Sequence, residues 1–301
     1  MMATAMRCFV ATALLLGALV TWALVAWADM TLPWAIAASV LIAIAIHAAV
    51  VGAGFMLAWG LSHRPGAEAP PGWLLAWPGE TAISLRNMYI DMPWRHRWQR
   101  QAPPVSKGVV LLVHGYSCNR GVWRGFDTWL VGRGWTVDAV DLEPVYASID
   151  EFGKQVAIAA RKLAAETGVD SVIVIAHSMG GLSTRAAVRA DPGVPIGHVI
   201  TVSTPHSGTF HARLGRGLCS REMIPGSVWL TDLHNAEPPG FAGRLTCIAS
   251  CHDNIVSPQS VALMPGATHF VREKVGHMQL LHDHQVRNFI ATRLDTLAAQ
   301  R

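Results

Sequence analysis

The sequence predicts an α/β chain, a mostly parallel sheet covered by helices on both faces, carried behind an apolar helical hairpin. Three observations predict it. From residue 108 onward strand-like and helix-like segments alternate, the pattern of crossover units that bury both faces of a sheet. A serine stands in Ala176-His177-Ser178-Met179-Gly180, between the apolar run Val172-Ile173-Val174-Ile175 and a helix-compatible stretch. Before all of this, Cys8 to Ala28 and Leu32 to Leu61 carry no charged residue.

The hairpin comes first. The chain has 301 residues, 51% hydrophobic and only 15% charged, and its mean hydropathy of +0.30 is concentrated at the N-terminus. At about 1.5 Å per residue the segment 34–60 reaches roughly 40 Å, against a hydrocarbon core of about 30 Å, so it can span with tilt. Met1 to Arg7 resembles a signal n-region, and Ala26-Trp27-Ala28 a cleavage site before Asp29. An uncleaved hairpin is favoured, because it sets Trp27 and Trp34 at one interface and Trp59 at the other. His47 has no ionisable companion in either segment and is expected to be neutral and locally hydrogen-bonded. Arg7 and Arg64 flank the pair while the turn carries only Asp29, which predicts a bacterial-type inner membrane with the remaining chain cytoplasmic. A periplasmic domain is the alternative, should one segment fail to span.

Residues 62–80, rich in Pro and Gly, read as a linker. Strands are expected at 83–91, 108–113 and 135–140, a helix at 150–166, strands at 171–176, 198–203, 244–250 and 268–275, and a last helix at 278–297 with Leu281, Phe289, Ile290, Leu294 and Leu297 near a 3.6-residue period. Residues 206–243 fit the sheet poorly. Their glycines, Pro238-Pro239 and the apolar Met223, Ile224, Val228, Trp229 and Leu230 read either as a lid over the carboxyl edge or as a passive surface excursion. The division is then a membrane anchor over 1–62, a linker with the first strand or strands over 63–106, and a catalytic domain over 107–301.

The net charge of +4 is modest, and with no motif behind it nucleic-acid binding is excluded. The cluster Trp94-Arg95-His96-Arg97-Trp98-Gln99-Arg100 suits anionic headgroups as well as it suits a solvated edge. Five cysteines form no framework, and Cys247 and Cys251, roughly 13 Å apart along a strand, cannot pair with each other. Free thiols are expected, with Cys219 able to reach one of them in an oxidising compartment. Cys247, Cys251 and His252 lack zinc spacing and a fourth ligand. No metal and no cofactor is predicted.

The serine segment has the strand, nucleophile, helix order of the elbow that presents a reactive hydroxyl in α/β-hydrolases, with alanine for the first glycine of G-x-S-x-G. That fold requires an acid and then a histidine downstream. Cys251-His252-Asp253-Asn254-Ile255-Val256 and Val275-Gly276-His277-Met278 supply them. Ser178 is the candidate nucleophile, His277 the base and Asp253 the group that orients it. The apolar strand Val109–Val113 runs into His114-Gly115-Tyr116, and the backbone N–H groups of Tyr116 and Met179 are the candidate oxyanion donors. His206, His252, His269, His282 and His284 compete with His277, and Asp283 with Asp253. Cys118 reads as a packed thiol and His114 as a loop organiser.

Taken with Ser203-Thr204-Pro205-His206-Ser207-Gly208-Thr209, these segments resemble those of bacterial lipases and esterases over about residues 107 to 298. The resemblance implies an α/β-hydrolase fold and a lipase-like serine hydrolase acting on an ester or lipid at a membrane. An acyltransferase or thioesterase with the same triad and an inactive interaction protein are the other readings it admits. The chain departs from the family habit of a cleaved signal in beginning with two long apolar segments.

Overall fold

The computed structural model describes residues 1–62, 72–94, 102 and 106–300. Six strands, β1 (Gly108–Val113), β2 (Trp135–Val140), β3 (Val172–His177), β4 (Ile196–Val202), β5 (Leu245–Ser250) and β6 (Thr268–Arg272), form one sheet in the order β2-β1-β3-β4-β5-β6. Every neighbouring pair is parallel. Because side chains alternate along a strand, each central strand feeds two cores. Val109, Leu111, Val113, Val174 and Ala176 meet Phe152, Val156, Leu163 and Leu182 on one face. Val110, Leu112, Ile173 and Ile175 meet Trp123, Phe126, Ile290 and Leu294 on the other. The chain therefore has the predicted α/β-hydrolase architecture with two N-terminal apolar helices.

The helix expected at 150–166 spans Ile149–Thr167 for reasons written in its ends. Ser148 accepts the Asp150 N–H at 3.2 Å, Asp150 and Glu151 sit in the first turn, and Gly168 closes the helix at φ 69°. The last helix begins later than expected, at His284, and runs to Ala299. Asp283 is its N-cap rather than an interior residue, accepting the Val286 N–H at 2.9 Å. Residues 206–243 hold two short α-helices, Gly217–Glu222 and Val228–Asn235, whose Cys219, Leu230 and Leu233 join the first core together with Met223 between them.

The N-terminal part differs most from expectation. Helices α1 (Met2–Ala28) and α2 (Leu32–Ser62) form the hairpin, with mean hydropathies of 2.3 and 2.4 over their most apolar windows and little of either window buried. Thr21 and Ser39 join them by a 2.8 Å hydroxyl bond. Residues 83–91 are not a strand. They continue a helix, α3 (Trp73–Arg86), that widens into a π-turn over Asn87–Asp91. The helix wins because its partner is another helix: Trp73, Ala76 and Trp77 pack on Val51 and Phe55 of α2, and the Trp77 indole donates to the Ala48 carbonyl at 2.7 Å. Part of the expected linker is thus structured, whereas residues 63–71 and most of the Trp94–Arg100 cluster lie outside the described residues.

Candidate active site

Ser178 follows β3 at φ 54° and ψ −129°, a conformation that non-glycine residues rarely hold and that nearby contacts must over-determine. Its N–H donates to the Val202 carbonyl at 2.9 Å, and its own carbonyl accepts the Thr204 hydroxyl at 2.9 Å. Two glycines permit the turn. A Cβ on Gly180 would stand 2.5 Å from the carbonyl oxygens of Val113 and His114, and one on Gly115 would stand 2.7 Å from the Ser178 Cβ. The end of β1 is thereby pressed against the elbow. Met179 opens the helix Met179–Ala190, where a first-turn N–H has no intrahelical acceptor, and Tyr116 follows Gly115. Among the described residues neither amide donates to another protein acceptor.

Asp253 and His277 meet on the loops after β5 and β6. The Nδ1–H of His277 donates to Oδ2 of Asp253 at 2.8 Å. A carboxylate can only accept, so the proton belongs on Nδ1 and Nε2 is left bare. The Ser203 hydroxyl also donates to Oδ2, and Oδ1 accepts the N–H groups of Ile255 and Val256 at 2.8 and 2.7 Å. Burial alone would push the Asp253 carboxyl up, but the His277 charge and these donors outweigh it and hold the group below the usual carboxylate range. For His277, burial disfavours the cation, yet Asp253 and, more weakly, Glu80 overcome it and raise its pKa above the ordinary histidine value. His177 lies 4.6 Å from the His277 ring, and its Nε2–H reaches the His277 carbonyl at 3.3 Å. Burial, reinforced by His277, drives His177 down to about 3, so it is a neutral packing partner.

Glu80 was not visible as a site residue in the sequence. It lies on α3, 2% exposed, with its two oxygens accepting the N–H groups of Met278 and Gln279 at 3.0 and 2.8 Å. A Cβ on Gly276 would strike it at 2.5 Å. Desolvation raises the Glu80 carboxyl to about 7, against the opposing pull of those N–H groups and of His277. No motif marks a lone glutamate after a Pro-Gly pair; the only local signal is Gly79, where a Cβ would run into the Gln279 side chain.

The segment Ser203–Thr209 ties the halves of the site together. Ser203 holds the acid and Thr204 the elbow, while Thr209 donates to the Ile255 carbonyl at 2.8 Å and accepts the Ser257 N–H at 3.1 Å. Four of the six competing residues are engaged elsewhere. Asp283 pairs with Arg272 through both oxygens, at 3.0 and 3.1 Å. His252 accepts the Lys274 N–H, His269 donates to Met264, and His206 bonds Thr201. His114 accepts the Leu142 N–H on Nε2 and so donates from Nδ1 to Gly115, as a loop organiser does. Burial lifts the Cys118 thiol to about 12, which leaves it no thiolate at neutral pH.

Ser178, His277 and Tyr116 open into one cavity of about 570 Å³. Its cover is unexpected. No residue of 206–243 lines it; the opposite wall is Phe9 of α1, Ala43, Val50 and Gly54 of α2, and Met88 and Tyr89 after α3. His47, on the same wall, bonds the Ser84 hydroxyl at 3.0 Å.

The sheet order and the loops at the carboxyl ends of β1, β3, β5 and β6 are those of the α/β-hydrolase fold. Comparison with known proteins gives the same class. The family model described as palmitoyl protein thioesterase matches residues 109–239. A lipase of Bacillus licheniformis in its mature form aligns over 66% of this chain and 98% of its own, at 17% identity and a TM-score of 0.59. Lipase B of Aspergillus fumigatus aligns over 63% of this chain and 53% of its own, at 18% identity and a TM-score of 0.53. At such identities the likeness to these lipases is one of fold.

Proposed function

We propose that the chain is a membrane-tethered serine hydrolase that cleaves carboxylic esters of hydrophobic acyl groups through an acyl-enzyme. The observation that carries this reading is His277, held through Nδ1 by the buried Asp253 and lining the same largely apolar cavity as a serine on a strained elbow. Nε2 of His277 takes the Ser178 proton as Oγ attacks the ester carbonyl, and the resulting imidazolium is stabilised by Asp253. The Tyr116 and Met179 N–H groups receive the oxyanion, each worth about 3 kcal/mol in such sites. The imidazolium protonates the departing alcohol. Water then repeats the sequence to release the acid and regenerate Ser178.

A thioester is the second reading, favoured by the family-model match. The same steps apply with a thiol as leaving group. Full-length protein in detergent, assayed with p-nitrophenyl esters and with a thioester of the same acid, separates the two. Labelling by a fluorophosphonate at Ser178 tests both, and an unlabelled Ser178 would end both.

Glu80 serves in this reading as a positioning residue, holding the His277 loop through the Met278 and Gln279 amides. Its anion also favours the imidazolium, so Glu80→Gln removes a negative charge that raises the His277 pKa. The base must be neutral to act, and activity rises as pH climbs through that pKa. Glu80→Gln is expected to move the acid limb of kcat/KM to lower pH; a limb that stays in place would refute the coupling.

The hairpin is proposed to cross a bacterial inner membrane and leave the catalytic domain cytoplasmic, on the balance of Arg7 and Arg64 against Asp29. A C-terminal fusion pair checks this. Green fluorescent protein is expected to be bright and alkaline phosphatase silent, and the opposite pattern would place the domain outside.

A further inference from the structure

We propose that the cleft between α1 and α2 is the acyl-chain site of this enzyme, taking one long unbranched chain whose carbonyl lies at Ser178; this rests on the serine-hydrolase reading above. A second cavity, of about 400 Å³, lies between the two helices and is lined by Ala13, Gly17 and Ala18 from α1 and by Ile36, Val40 and Ile44 from α2. Ala43 and Tyr89 line both this cleft and the cavity that holds Ser178 and His277. The two spaces are therefore neighbours through a shared wall, and a chain leaving the serine reaches the hairpin where the Ala43 and Tyr89 side chains give way.

The occupant follows from the lining. The hydroxyls of Thr21 and Ser39, which face the cleft, are already satisfied: Thr21 donates to Ser39 at 2.8 Å, and Ser39 to the Ala35 carbonyl at 2.8 Å. Neither cavity is lined by a charged side chain except Glu80, which is committed to two backbone amides beside His277. What remains is a largely apolar slot between two helices, separated from the site of ester attack by the Ala43 and Tyr89 side chains that line both spaces. The outer flanks, Leu14, Val40 and Leu41, are exposed and apolar, so a chain can enter from lipid without crossing water.

Gly17 gives a clean test, because it lines the cleft and a Cβ there meets no atom within 4 Å, so a leucine directs its side chain into that space. Gly60, also in open space but outside the cleft, takes the same substitution as a reference. Each buried methylene is worth about fourfold in affinity. In full-length protein, Gly17→Leu is expected to lower the kcat/KM ratio of p-nitrophenyl palmitate over butyrate at least tenfold, through KM, whereas Gly60→Leu keeps the ratio of the unmodified chain. An unchanged ratio in Gly17→Leu would overturn the proposal while butyrate hydrolysis still upheld the hydrolase. A long-chain alkyl fluorophosphonate with a terminal diazirine gives an independent readout. Ser178 Oγ displaces fluoride, and irradiation is expected to cross-link the chain end to residues 13–21 or 36–44. Cross-links confined to 206–243 would overturn the assignment, and absence of the Ser178 adduct would instead remove the reading beneath it.

Discussion

Ser178→Ala is expected to lower ester hydrolysis by about 10⁴ to 10⁶ in kcat while the protein stays folded. The size follows from the division of labour proposed above: without Oγ there is no acyl-enzyme, and His277 has nothing to deprotonate. Folding should survive because the elbow is held by backbone contacts, the Ser178 N–H on Val202 and its carbonyl on Thr204, together with the close approach of Gly115 and Gly180. His277→Ala should be about as damaging, and the double variant no worse than either alone, since groups that act as a unit are not additive. Activity of Ser178→Ala within tenfold of the unmodified enzyme would show that another residue carries the attack.

Asp253→Asn comes next in size, with an expected loss of about 10³ to 10⁴ in kcat. The Asp253 carboxylate accepts four hydrogen bonds, from His277, Ser203, Ile255 and Val256. A carboxamide has one oxygen to offer and turns an NH₂ toward the remaining donors, so the imidazole loses both its orienting partner and the tautomer that leaves Nε2 bare. Asp283→Asn is the comparison. It weakens the Arg272 pair but keeps a side chain that can cap the last helix, and its activity should stay within a few-fold of normal. If the two variants ranked in the opposite order, Asp253 would not be the acid.

The sheet and the elbow were legible because their signals are local. An apolar run, a tight turn and a helix stand side by side at 172–190, and Ser148 and Gly168 write the ends of the helix between them. Chain order then directed attention to Asp253 and His277. The N-terminal third was read less well, for a physical reason. Residues 83–91 are apolar enough for a strand, and the helix is selected by the fit of Trp73 and Trp77 on α2, a contact no window of sequence contains. Glu80 went unseen for the same cause, since its meaning lies in amides some 200 positions away. Of the two readings open for 206–243, the lid followed from its place after β4, but the cavity is lined from the hairpin instead.

That wall changes what counts as a conservative change in the first sixty residues. A hydrophobic anchor ordinarily tolerates any exchange that preserves its hydropathy, because lipid asks only for apolar surface. Here Phe9, Ala43, Val50 and Gly54 also face the cavity of Ser178 and His277, and a swap of alanine for leucine that a hydropathy scale scores as silent alters the shape of a pocket. The outward positions, Leu15, Leu16 and Trp27 among them, carry no such burden. The two helices therefore carry two alphabets, a strict one toward the serine and a permissive one on their exposed sides.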